Sequence, residues 1–222
     1  MQVALIDYGS GNLRSAEKAL QAAADSQGGT TRISRCRDAD QLLAADRVVL
    51  PGVGAFADCR RGLASLDGML DALNIFTQQL ARPFLGICVG MQLTADQGQE
   101  NGITPGFGWI RGEIVPLQPV DADGKRLKVP HIGWNRLLPT RPAHPLFNGI
   151  SPSVDAEASR VYFVHGYHLV GGDADTVLAE TDYGGRITAA VCRATMAGFQ
   201  FHPEKSQAVG QQLLVNWLNW RP

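Results

Sequence analysis

The chain has little cysteine and no cysteine pattern. Cys36, Cys59, Cys88 and Cys192 are 4 thiols scattered over 222 residues without a C-x-x-C, which excludes a disulfide framework and a cysteine-built zinc site. It has no excess of charge either. Basic residues number 20 and acidic ones 21, a formal net charge of -1, so neither nucleic acid nor an anionic membrane is an expected partner. No apolar run reaches bilayer-spanning length, and Val3-Ala4-Leu5-Ile6-Asp7 follows the first residues with none of the regions of a signal peptide. A soluble, cytoplasmic protein is expected. Internal repeats and low-complexity tracts are absent. His131 and His165 lack a nearby Cys/His/Asp set at metal-ligand spacing, so neither metal nor cofactor is expected. His144 and His168 are assigned to the surface, and Cys36, Cys59 and Cys192 to structural roles.

What is present is a repeating alternation. At 45% hydrophobic residues over 222 positions, one well-buried domain spanning 1–222 is expected. Gln2 to Asp7 is a continuous apolar run, as in a strand covered on both faces, and Tyr8-Gly9-Ser10-Gly11-Asn12 turns it into an amphipathic stretch from Leu13 to Ala24. The Gly9-x-Gly11 pair invites a dinucleotide site, but Arg14 stands where the third glycine belongs and the fingerprint fails. A strand over Thr30 to Ile33, a helix over Asp38 to Ala45 capped by its aspartate, a strand at Arg47 to Leu50 and a helix over Asp67 to Ala81 follow. The pattern predicts an α/β fold with a doubly wound, mostly parallel sheet flanked by helices. After Gln92 it changes. Ile110 to Leu117, Leu127 to Pro130 and Arg136 to Leu138 read as short antiparallel strands, and Pro139 to Glu157 as a surface excursion. Arg160 to Val170, Thr176 to Glu180 and Arg186 to Arg193 are further strands, and Gln207 to Trp220 a closing amphipathic helix.

The chemistry centres on Pro83-Phe84-Leu85-Gly86-Ile87-Cys88-Val89-Gly90-Met91-Gln92, an apolar strand driven through Gly-x-Cys-x-Gly into a helix. That is the context of a nucleophile elbow, with glycines two before and two after because a Cβ there would clash. A helix N-terminus behind Cys88 favours thiolate over thiol. Far downstream, Phe201-His202-Pro203-Glu204 ends a strand-like run, and a period of two puts His202 and Glu204 on one side. A histidine held by a carboxylate is the base and orienter of a catalytic triad. The glycine-rich Pro51-Gly52-Val53-Gly54 loop ends a parallel strand, where its N–H groups can face an oxyanion.

These motifs resemble the class I, triad-type glutamine amidotransferases. Asp7-Tyr8-Gly9-Ser10-Gly11-Asn12, Pro130-His131-Ile132-Gly133-Trp134-Asn135, Tyr162-Phe163-Val164-His165 and His202-Pro203-Glu204-Lys205-Ser206 are similar to the glutaminase subunits of imidazole glycerol phosphate synthase. The resemblance implies a flavodoxin-like fold with Cys88, His202 and Glu204 as the triad. It implies an oxyanion hole from the N–H groups of Val53 and Val89, and glutamine binding by Gly54, Gln92, Glu100, Gly166 and Tyr167. Gly166 stands where the family usually has serine. The implied partner, in a heterodimer, is a (β/α)8-barrel cyclase that consumes the ammonia, with Asn12, Trp134, Tyr162 and Lys205 at or near the interface. A glutaminase serving a different synthase, and a catalytically silent subunit of the same fold, stay open on the sequence.

Overall fold

A computed structural model describes residues 1–150 and 159–222. The first half alternates as expected: β1 (Gln2–Ile6), α1 (Leu13–Asp25), β2 (Arg32–Cys36), α2 (Ala39–Ala44), β3 (Arg47–Gly52), α3 (Phe56–Ala64), α4 (Met69–Asn74), β4 (Phe84–Cys88) and α5 (Val89–Gln92). Apolar runs make β1, β3 and β4 buried central strands, and Asp38 caps α2 by accepting from the Gln41 amide at 3.0 Å. Later come β5 (Gln97–Gly98), β6 (Thr104–Pro105), β7 (Glu113–Pro116), β8 (His131–Arg136), β9 (Leu138–Pro139), β10 (Arg160–His165), β11 (Tyr167–Val170), β12 (Val177–Asp182), β13 (Arg186–Arg193), β14 (Met196–Phe199) and α6 (Gln207–Asn219).

The main sheet has the order β2-β1-β3-β4-β14-β13-β12-β9. Its first five strands are parallel and the last three antiparallel. Two smaller sheets, β10-β8 and β11-β7-β5-β6, stand beside it. Among the described residues no helix is long and apolar enough to cross a membrane.

Several boundaries differ from the sequence reading, each for a local reason. The expected helix over 67–81 starts only after Gly68, whose φ is +65°, and ends in a π-helical turn, Ile75–Gln79. There the Leu80 amide reaches back to the Ile75 carbonyl, while the buried Thr77 hydroxyl bonds the Leu73 carbonyl at 2.8 Å. Residues 127–130 form no strand; β8 begins just after Pro130, which has no N–H for a ladder. Arg160 to Val170 is two strands, because the chain changes sheets at Gly166: β10 pairs with β8 and β11 with β7. The stretch after Pro139 is no mere surface excursion as far as residue 150. Leu146 and Phe147 are buried, and Asn216 of α6 donates to the carbonyls of Leu146 and Asn148 at 2.9 and 2.7 Å. Its remainder, 151–157, lies outside the described residues.

Candidate active site

Three strand ends meet at the site. Gly52 is in register with Cys88 across β3 and β4, and Phe199 with Ile87 across β14 and β4. The carboxyl ends of these strands therefore deliver the Val53-Gly54 loop, Cys88 and His202 to one place. Cys88 has φ 54° and ψ -112°, a strained conformation for a residue with a side chain. The flanking glycines have the steric cause expected of them. A Cβ on Gly86 would lie 2.5 Å from the Gly90 carbonyl oxygen, and one on Gly90 would run into the Leu50 carbonyl.

His202 and Glu204 are brought together by a different device from the one expected. Pro203–Lys205 is a 3-10 turn beyond β14, not a continuation of the strand, and the turn folds Glu204 back so that its Oε1 lies 2.8 Å from His202 Nδ1. A carboxylate only accepts, so Nδ1 carries the proton and Nε2 is left for the sulfur. Both side chains are buried, at 5% and 3% exposure. Burial opposes charging of the imidazole, but the hydrogen bonds that it donates to Cys88 and Glu204, and the negative charge of those groups, outweigh it, and its pKa is raised to about 10. The turn is tied to β10: the His202 amide donates to the Tyr162 carbonyl (2.9 Å), the Ser206 hydroxyl to the His202 carbonyl (2.6 Å), and the Tyr162 amide to the Ser206 hydroxyl (2.9 Å).

Cys88 and His202 open onto a cavity of 390 Å³ that is also lined by Val53, Gly54, Val89, Gln92, Glu100, Gly166 and Tyr167. Every residue expected at the oxyanion hole and the glutamine site thus borders one space. Glu100 accepts from the Phe56 amide at 2.7 Å, which parks its carboxylate at the start of α3. Gln92 is buried and spends its Nε2 hydrogens on the Tyr167 carbonyl (3.2 Å) and Gln200 Oε1 (3.0 Å). Its Oε1 is left as an acceptor. Around the glycine-rich loop, Tyr8 donates to the Pro51 carbonyl (2.8 Å), and Ser10 and Cys59 to the Val53 carbonyl (2.6 and 3.4 Å). Burial pushes the Tyr8 phenol and the Cys59 thiol up, so both stay neutral donors. At Gly166 a Cβ would meet nothing closer than 3.7 Å, so packing does not exclude the serine that the family usually has there.

The pattern of the class-I glutamine amidotransferase family matches residues 4–219. The chain belongs to that family. This amidotransferase is 54% identical to imidazole glycerol phosphate synthase subunit HisH of Brucella suis biovar 1 (strain 1330), covering 100% of both chains. It is equally 54% identical, with the same coverage, to the subunit of that name from Rhodospirillum rubrum. A crystal structure of a glutamine amidotransferase superposes with a TM-score of 0.69 over 98% of this chain and 97% of its own, at 16% identity. One from Thermotoga maritima does so at 0.57 over 99% and 83%, at 14% identity. These two likenesses show the fold.

Beside the cavity the amidotransferase presents an aromatic face. Trp134 is 42% exposed rather than a core residue, and its ring meets Tyr162 edge-on at 5.7 Å. Lys205, which also lines the cavity, places its Nζ 5.7 Å from the Tyr162 ring centre. Asn12 is exposed at the start of α1, which packs against the 203–205 turn.

His144 and His168 are half-buried, not surface residues. His144 Nδ1 accepts from the Leu146 amide at 3.3 Å. His131 and His165 bond each other, Nδ1 to Nε2 at 3.1 Å. The Tyr167 carbonyl fixes their tautomers. His165 Nδ1 must donate to it (2.9 Å), so His165 Nε2 accepts from His131 Nδ1, and His131 Nε2 from Asn135 Nδ2 (3.3 Å). Protonating either ring would set donor against donor. Burial lowers both pKa values to about 4.

The sequence reading assigned no part in the site to Gln200, Ser206 or the Tyr8, Ser10 and Cys59 clamp, although Tyr8, Ser10 and Ser206 lie in the motifs it quotes. Gln200 is a lone polar residue between Phe199 and Phe201, on the same alternation as His202, but nothing local shows which groups it meets.

Proposed function

We propose that Cys88, His202 and Glu204 hydrolyse glutamine and that the ammonia is handed to a (β/α)8-barrel cyclase. Identity above 50% over the full length of the HisH relatives makes this chain the glutaminase subunit of imidazole glycerol phosphate synthase, an enzyme of histidine biosynthesis. In the proposed reaction the Cys88 thiolate attacks the carboxamide carbon of glutamine. The oxyanion is met by the N–H groups of Val89 and Val53. His202 gives its proton to the departing ammonia, leaving a γ-glutamyl thioester. Acylation removes the thiolate that had favoured the imidazolium, so His202 is free to take a proton from water. Water then attacks the thioester, glutamate leaves, and the thiolate returns. Glu204 holds Nδ1 throughout. Gln92, Glu100, Gly54 and the backbone at Gly166 and Tyr167 hold the substrate, with Glu100 facing its amino group.

The observation that carries this reading is the convergence of a strained cysteine, a carboxylate-held histidine and a substrate-sized cavity. The partner docks on the face of Asn12, Trp134, Tyr162 and Lys205, and the assembly works in the cytoplasm. Reorientation of the Gly52-Val53 peptide completes the oxyanion hole when the cyclase binds its nucleotide substrate. The test is glutamate release by this chain alone and with the cyclase, with and without that nucleotide. Release should rise in the complex, and Cys88→Ala should abolish it while ammonia-dependent turnover persists. Glutaminase activity surviving in Cys88→Ala would overturn the triad, and equal activity with and without partner would overturn the gating.

A further inference from the structure

The proposed nucleophile has a neighbour outside the triad. Gln200 is fully buried, with its Nε2 3.7 Å from Cys88 Sγ and its Oε1 3.0 Å from Gln92 Nε2. Its backbone amide donates a hydrogen bond to the Ala189 carbonyl at 2.9 Å, and the adjoining residue Phe199 is in register with Ile87 of β4. The carboxamide therefore hangs from a rigid part of the sheet.

Hydrogen-bond direction decides which end of that carboxamide faces the sulfur. The Tyr167 carbonyl can only accept, so Gln92 must turn its NH2 group toward it, at 3.2 Å. The second hydrogen of that group then points to Gln200, whose oxygen has to receive it. Only the NH2 group of Gln200 is left for Cys88. Turning either amide round would set oxygen against oxygen or N–H against N–H between buried side chains, which buried polar groups do not tolerate.

We infer that Gln200 is a positioning residue for the nucleophile: it donates a hydrogen bond to the Cys88 sulfur and is itself held in that orientation by Gln92 and the Tyr167 carbonyl. A donor aimed at sulfur favours the charged form over the neutral one and fixes the direction of its lone pairs. The arrangement also puts the substrate contact at Gln92 one carboxamide away from the nucleophile. The inference rests on the reading of Cys88 as that nucleophile.

The test is the pH dependence of Cys88 alkylation by iodoacetamide, followed on the Cys88 peptide by mass spectrometry in the full chain. Gln200→Met keeps the length and removes both the donor to Cys88 and the acceptor for Gln92. Gln200→Glu keeps the acceptor for Gln92 and sets a carboxylate against the sulfur. The alkylation midpoint should move up by about one pH unit in Gln200→Met and further in Gln200→Glu, because the thiolate is the reactive form. In Gln200→Glu, which keeps the acceptor for Gln92, glutamine kcat should fall by about tenfold or more with KM changed less than twofold, as for a group acting on the nucleophile and not on the substrate. Circular dichroism and melting show whether the variants are folded. A folded Gln200→Met with an unchanged alkylation profile would overturn the inference. If neither variant folds, the unsubstituted protein decides. Its Gln200 side-chain amide protons should move downfield with the same midpoint as Cys88 alkylation, and resonances that stay fixed overturn the proposal. Failure of the underlying reading looks different: Cys88→Ala would then retain glutamine turnover, whatever Gln200 does.

Discussion

Glu204 gives one oxygen to His202, while its other oxygen is buried without a hydrogen-bond partner among the described residues. Its charge therefore acts on the imidazole and on little else. Glu204→Gln keeps the size but not the charge, and its NH2 group can face Nδ1 and reverse the tautomer, so Nε2 would no longer be an acceptor for the thiol proton. Glutamine-dependent turnover should fall by up to about 10⁴-fold, the loss that the wrong histidine tautomer causes in a Ser-His-Asp triad. Steady-state glutamate release measures this, and melting temperature checks the fold. The proposed triad could be named from the sequence because each member sits in a short motif with a steric or electrostatic reason of its own. Gln200 and Ser206 could not. Their partners Gln92 and Tyr162 are 108 and 44 residues away, and no local pattern records such a pairing.

Among the elements, α6 shows how close packing holds the histidine. Gly210 lies inside this helix, where alanine has the better propensity, yet a Cβ there would run into the Pro203 carbonyl and lie 2.7 Å from Ser206 Cβ. Gly210→Ala should therefore destabilise the protein by about 1–3 kcal/mol, as overpacking does, and displace the turn that carries His202. Urea denaturation reads the first effect and glutamine kcat the second. The β8–β10 pair carries a second consequence, through His131 and His165. His131 is stacked between Phe163 and Tyr183, at 4.8 and 4.0 Å. Both rings have folded pKa values near 4, below the ordinary 6.5. The unfolded chain thus binds protons first as pH falls, so their stabilisation is complete above pH 6.5 and is lost as pH drops through about 4. The urea midpoint should fall over that window, and His131→Gln should be less stable at pH 7 yet less sensitive to acid. A variant with the parent's slope would contradict this. The parallel half was legible because apolar runs and an aspartate cap declare it. The middle was not: Pro130 and Gly166 redirect the chain between sheets, and only the partner strands reveal where it goes.

For the molecule as a whole, the sheet order brings the carboxyl ends of β3, β4 and β14 side by side, and the site opens next to the Trp134 face. Ile132 and Trp134 are two apart on β8 and are 59% and 42% exposed; Val53, at the cavity edge, is 40% exposed. Large apolar side chains left in solvent around a catalytic mouth carry little stability but a large share of any docking energy. Trp134 is the largest of the three side chains. Trp134→Ala should leave the melting temperature within about 2 °C, since the ring is not core. It should weaken binding to the cyclase by about 30-fold, the cost of losing a central aromatic anchor worth about 2 kcal/mol. Isothermal titration of the full chain against the barrel reads this directly. Wild-type affinity in Trp134→Ala would move the proposed interface away from this face, and with it the proposed exit route for ammonia from Cys88.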